Sequence, residues 1–146
     1  MTTLFYFCPL CGNIVTKIEN GGPIPHCCGQ QMEELRPGTI EASAEKHIPV
    51  LEKADCNKFF VKVGSEPHPM TSQHYIKWIW IESVDGGQLR YLSSKGNIAD
   101  KASVEFQGCA DDVLAVYAYC NIHGLWKCDV ASSQDSNYNT GCSINK

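Results

Sequence analysis

"VLAVYAYCNIHGLWKCDV", residues 113–130, reads as two strands joined by a tight turn, and the fold follows from it. Its first half alternates with period two, which sets Leu114, Val116, Ala118 and Cys120 on one face and Val113, Ala115, Tyr117 and Tyr119 on the other. Cys120 therefore closes a strand on an apolar face. His123 follows three residues later, a spacing at which a turn aims a thiol and an imidazole at one atom, as a metal pair requires.

Outward from this hairpin, "KFFVKV", "HYIKWIWIE", "QLRYL" and "SVEF" are further β-like runs, with "DGG" and "SKGN" as turn signals between them. Short runs at this spacing predict an antiparallel sandwich or barrel. No repeat, heptad or long helical pattern interrupts them. Upstream, "RPGTIEASA" (residues 36–44) reads as a linker behind a segment dense in Cys and Gly that holds too little apolar surface for a core of its own. The expected division is residues 1–36, residues 37–130, and a polar, aromatic-poor tail over 131–146 that predicts weak order.

The chain has 146 residues, 43% of them hydrophobic, enough for one proper core beside a very small unit. Only 19% are charged and the formal charge is -4, so neither a nucleic-acid face nor a polybasic membrane patch is expected. Nine cysteines cannot all pair within one chain. "MTTLFYFCPLCG" lacks the marks of a secretory signal and no apolar run is long enough to span a bilayer, so the cysteines are expected to be ligands or core residues.

Two constellations could carry chemistry. In the first, "CPLCGN" and "CCGQQM" bring Cys8, Cys11, Cys27 and Cys28, a four-thiolate set for a tetrahedral zinc or iron ion, with Gly12 supplying the turn. Adjacent Cys27 and Cys28 can share one ion only with a strained bite. In the second, "AEKHIP", "SEPHPM" and "SQHYIKW" supply His47, His68 and His74, with Pro49, Pro67 and Pro69 stiffening the loops. Each histidine alone reads as an ordinary surface or capped core residue, and His26 stays a surface residue. Together with Cys120 and His123 they form four nitrogens and a sulfur, one ligand short of octahedral, a set suited to iron rather than tetrahedral zinc. Two other readings use the same residues: a zinc ribbon followed by an interaction domain, and a zinc hydrolase with Glu45 as base. Of the other cysteines, Cys128 is expected as a core thiol beside Trp126 and Val130, whereas Cys56, Cys109 and Cys142 have no assigned role.

"CPLCGN…CCGQQM" resembles the desulforedoxin (rubredoxin-like) metal knuckle, and "EKHIPVLEK", "KVGSEPHPM", "HYIKWI" and "YCNIHGLWK" resemble the catalytic domain of superoxide reductases; in this order they resemble the desulfoferrodoxin family. The resemblance implies an all-β chain, the small knuckle domain followed by a seven-stranded immunoglobulin-like β-sandwich. It implies an FeS4 centre on Cys8, Cys11, Cys27 and Cys28. It also implies a catalytic iron with His47, His68, His74 and His123 in the equatorial positions and Cys120 axial. The implied reaction reduces superoxide to hydrogen peroxide with electrons from a rubredoxin-like donor, as oxidative-stress detoxification in a cytoplasmic homodimer. By the same resemblance Glu45 occupies the sixth position in the resting ferric state. Lys46 is assigned to steering the anionic substrate and arranging the water that protonates the product.

Overall fold

Runs rich in Val, Ile, Phe and Tyr, broken by Gly, Asn and Asp, favour ladders over helices. The computed structural model describes residues 3–94, 97–130 and 144–145. The chain divides into two compact units, Met1–Pro37 and Gly38–Lys146.

In the first unit β1 (Phe5–Phe7) lies between β2 (Ile14–Thr16) and β5 (Glu33–Leu35), antiparallel to both, while β3 (His26–Cys27) and β4 (Gln30–Gln31) form a separate hairpin. Tyr6, Cys8 and Met32 are its buried apolar cluster, with Leu4 and Cys27 packed against them. So small a cluster cannot offset the chain entropy of the unit, which leaves a bound ion as its natural staple.

The second unit opens with a single helical turn, α1 (Ala44–His47), followed by β6 (Pro49–Lys53), β7 (Lys58–Val63), β8 (Ile76–Ser83), β9 (Gly86–Tyr91), β10 (Ser93–Ser94), β11 (Asn97–Ile98), β12 (Ser103–Gln107), β13 (Val113–Cys120), β14 (Gly124–Asp129) and β15 (Ile144–Asn145). Two sheets, ordered β12-β7-β6-β15 and β14-β13-β8-β9, make the seven-stranded immunoglobulin-like sandwich plus the short parallel strand β15, and β10 pairs with β11 beside them. Leu51, Phe59, Val61 and Phe106 from one sheet meet Ile79, Ile81, Val116 and Ala118 from the other in a single core. Cys120 belongs to that core and is fully buried. The all-β expectation holds.

Two local expectations change, and one strand was not anticipated. Leu114 is 42% exposed instead of facing the core with Val116. The pairing of β13 with β8 skips it, since Val113 faces Ser83 and Ala115 faces Glu82, so a β-bulge expels Leu114 and turns Val113 inward. Strand β6, "PVLEK", fills the centre of its sheet although its opening proline concealed it. Cys128 is buried as expected, but it is disulfide-bonded rather than a free thiol. The tail over 131–146 lies outside the described residues except for β15. No helix among the described residues is long and apolar enough to cross a membrane.

Candidate metal centres

The knuckle closes as its glycine suggested. Gly12 takes φ 83 and donates its N–H to the Cys8 carbonyl at 2.8 Å, and the Cys8 N–H reaches the Asn13 carbonyl at 2.9 Å. Across from it, Cys28 holds φ 54, the one positive-φ residue other than glycine among the described residues. That costly conformation is how two adjacent cysteines both turn inward, so the strain expected of the pair resides in the backbone. One ligand atom from each of Cys8, Cys11, Cys27 and Cys28 lies within 4.8 Å of every other. Cys11 Sγ is 3.6 Å and Cys28 Sγ 3.9 Å from Cys27 Sγ. A regular tetrahedron with metal–sulfur bonds of about 2.3 Å has edges of about 3.8 Å, so the sulfurs already stand at ion-binding separations.

The sulfurs are electrostatically unequal. Backbone N–H groups, chiefly that of Cys11, lower the Cys8 thiol to about 7, while the neighbouring sulfurs, Cys11 first, push Cys28 up to about 12. Four thiolates at this spacing repel one another, and a cation is what lets them coexist.

In the second unit four histidines meet from three places, the end of α1, the β7–β8 connection and the β13–β14 turn. His47 ends α1, His68 sits between Pro67 and Pro69, His74 precedes β8, and His123 lies in the β13–β14 turn before Gly124, which takes φ 74. Their rings form a closed cycle. Centroids are 4.6 Å apart for His47–His68, 4.6 Å for His68–His74, 5.0 Å for His74–His123 and 4.8 Å for His47–His123, with every neighbour edge-on at 75–89°. His47 and His74 are opposite corners, 6.1 Å apart and tilted by 31°. His47 Nε2 stands 3.0 Å from His123 Nδ1 and 3.2 Å from His68 Nε2. Adjacent corners of a square with metal–nitrogen bonds of about 2.1 Å are about 3.0 Å apart.

Cys120 adds the fifth donor. Its Sγ is 3.9 Å from His123 Nδ1, and it shares with His47, His74 and His123 a group whose ligand atoms all lie within 4.8 Å. The structure thus brings together all nine sequence-predicted ligands, in two groups: the four cysteines, and the four imidazoles with Cys120.

Two further observations fit an ion at the imidazoles. His74 Nε2 is buried with no hydrogen-bond partner, a costly state unless something accepts its lone pair. Burial also lowers the pKa of His68 to about 4 and lowers those of His47 and His74, which keeps the rings neutral at physiological pH. The free nitrogens of two rings are anchored: His47 Nδ1 lies 2.6 Å from the Ser43 carbonyl and His68 Nδ1 lies 2.7 Å from the Pro69 carbonyl. Five strong donors exceed what tetrahedral zinc takes and match iron with one position left over.

Glu45 and Lys46 are exposed on α1, directly before His47. The positive charge of Lys46 helps to lower the pKa of both His47 and His74, so its field reaches the square. Sequence reasoning missed three supporting residues. Trp126 lays its ring 4.9 Å from His47 and donates Nε1–H to the His123 carbonyl at 3.1 Å. Gly64, at φ +85, lies so near α1 that a Cβ there would come 2.7 Å from the Glu45 oxygen and 2.8 Å from the Lys46 carbonyl carbon. Asn121 bonds to the backbone on both sides of His74. Trp126 and Asn121 stand within "YCNIHGLWK", so their neighbourhood to the ligands was the available signal; Gly64 had none beyond being glycine.

Two family models match the chain: "Desulfoferrodoxin" over residues 39–129, and "Desulfoferrodoxin, N-terminal domain" over residues 2–35. A desulfoferrodoxin homolog from Archaeoglobus fulgidus is 45% identical over 122 residues, covering 84% of this chain and 93% of that protein. The desulfoferrodoxin of Nitratidesulfovibrio vulgaris is 41% identical, covering 85% and 94%. Among solved structures, the superoxide reductase from Treponema pallidum superposes with a TM-score of 0.66 at 34% identity, covering 87% of this chain and 98% of that one.

Proposed function

Because the chain belongs to the desulfoferrodoxin family, we propose that it is a superoxide reductase holding two irons, an FeS4 centre on Cys8, Cys11, Cys27 and Cys28 and a catalytic iron on His47, His68, His74, His123 and Cys120. The observation that carries this reading is the closed cycle of edge-on imidazoles with a buried thiol within reach of it. When bound there, iron supplies the single electron that, with two protons, converts superoxide to hydrogen peroxide.

The chain's own residues set the conditions for that step. Neutral imidazoles present lone pairs, and the buried Cys120 sulfur is a soft donor shielded from water. Substrate is an anion and the chain carries a formal charge of -4, so attraction must be local. Lys46 provides it. Its ammonium draws the anion toward the square and orients water for proton delivery to the product oxygen. Glu45, one residue earlier, would offer a hard carboxylate to an oxidised iron held there, a donor that a reduced iron would hold less tightly. Electrons come from a rubredoxin-like donor to a homodimer, a reading that rests on the resemblance. A cytoplasmic location likewise rests on the resemblance, since the cysteines divide, with Cys56 and Cys109 free and Cys128 disulfide-bonded.

Iron analysis with visible spectra of reduced and oxidised protein, followed by superoxide consumption with a reductant, tests the proposal. Two irons per chain with thiolate-to-ferric bands and steady superoxide removal are expected. Stoichiometric zinc at both sites from iron-replete cells, without that activity, would return the molecule to the zinc-ribbon or hydrolase readings. Lys46→Ala is expected to slow the bimolecular reaction about tenfold and flatten its dependence on ionic strength; an unchanged rate removes the steering role. Glu45→Ala should leave that rate nearly intact and alter the resting ferric spectrum. A large rate loss there would place Glu45 in the reaction itself.

A further inference from the structure

His47 and His68 are aligned through their rings, each with a Nδ1 close to a backbone carbonyl. His74 has no such anchor among the described residues, and its Nε2 is buried and unpartnered. Its direction therefore has to come from its backbone. Thr71 holds part of that backbone, accepting the His74 N–H on Oγ1 at 3.0 Å and donating its own N–H to the His74 carbonyl at 2.9 Å. These are local contacts and do not say where the loop sits relative to the other ligands.

Asn121 supplies that reference. Its Oδ1 accepts the Tyr75 N–H at 2.9 Å, its Nδ2 donates to the Gln73 carbonyl at 2.9 Å, and its own N–H donates to the Tyr75 carbonyl at 3.1 Å. One carboxamide thus grips the peptides on both sides of His74. The gripping residue stands between Cys120 and His123, two other donors. From this bracket the geometry points to Asn121 as a positioning residue that fixes His74 against the Cys120–His123 turn, making three of the five donors one preassembled unit. The inference rests on the metal reading of that donor set. The task needs a planar group with one donor and one acceptor, which Asn has; Asp offers no donor and sets a carboxylate against the Gln73 carbonyl, and Ala offers neither. Partners that orient ligands in this way typically contribute 10–100-fold to metal affinity.

Cobalt(II) titration of the metal-free full-length chain separates the possibilities, because the four-cysteine site gives intense thiolate bands and serves as an internal reference. In wild type both donor sets fill. In N121A the affinity of the imidazole set falls about 10–100-fold and its ligand-field bands shift, while the cysteine set is unchanged. N121D, which keeps the shape and the Tyr75 bond, weakens the same site severalfold and carries the test if N121A does not fold. Affinities within twofold of wild type with unmoved bands, even if the melting temperature drops, overturn the positioning role. A wild-type chain that leaves the imidazole set empty would instead remove the metal reading beneath it.

Discussion

Cys120→Ser is expected to give a folded protein that no longer reduces superoxide. The side chain is fully buried at the end of β13, within the shared core, and serine occupies that space with little change in volume. What changes is the donor. A hydroxyl does not ionise at neutral pH and binds iron poorly in the thiolate's place, so the thiolate-to-ferric band of the catalytic centre disappears while the bands of the four-cysteine centre remain. Superoxide consumption should fall by at least about a hundredfold, roughly 2.7 kcal/mol in barrier. Measuring the spectrum and the rate on one preparation decides the matter. If the catalytic band survives, another sulfur is the ligand; if activity survives without the band, the sulfur is not needed for turnover.

Gly64→Ala should do comparable damage from outside the donor set. The Cβ would meet the Glu66 carbonyl oxygen, the Glu45 oxygen and the Lys46 carbonyl carbon, all backbone and unable to rotate aside. The position also sits at φ +85, where a side chain is strained whatever the space. Gly64 further donates its N–H to the Ile48 carbonyl at 3.0 Å, so any shift is transmitted to the peptide just after His47. A cost of about 2–3 kcal/mol is expected, which for a unit of this size lowers the melting temperature by about 10–20 °C. Because α1 carries Glu45, Lys46 and His47, iron retention should fall along with stability. A melting curve superimposed on wild type, with full iron, would show that α1 yields without cost.

How much of this was legible beforehand depended on how local the controlling interaction is. Lys58–Val63 alternates buried and partly buried residues along its whole length, so its period-two pattern was read directly as a strand. The ligands were legible as residue types in short motifs, since "CPLCGN", "SEPHPM" and "YCNIHGLWK" each keep donor and turn together. The square was not. His47 and His123 lie far in sequence from the connection that carries His68 and His74, and edge-on ring packing arises only when the sandwich closes. Leu114 was misplaced for a related reason, since nothing within β13 announces a residue omitted by its partner β8. Gly64 and Asn121 depend on neighbours 19 and 46 residues away, Glu45 and Tyr75, which no window of sequence contains.

The extra residue in β13 has a bearing on how this chain tolerates change. Val113 and Cys120 are seven positions apart, an odd interval that unbroken pleating would assign to opposite sides, yet both point into the core. Leu114 absorbs the mismatch in parity. A deletion there would leave Val113 and Cys120 six apart, restoring even spacing with both still facing inward, whereas a deletion between Ala115 and Tyr119 would turn the sulfur away from the imidazoles. Length variation at the distal end of the strand is thereby insulated from the chemistry at the other.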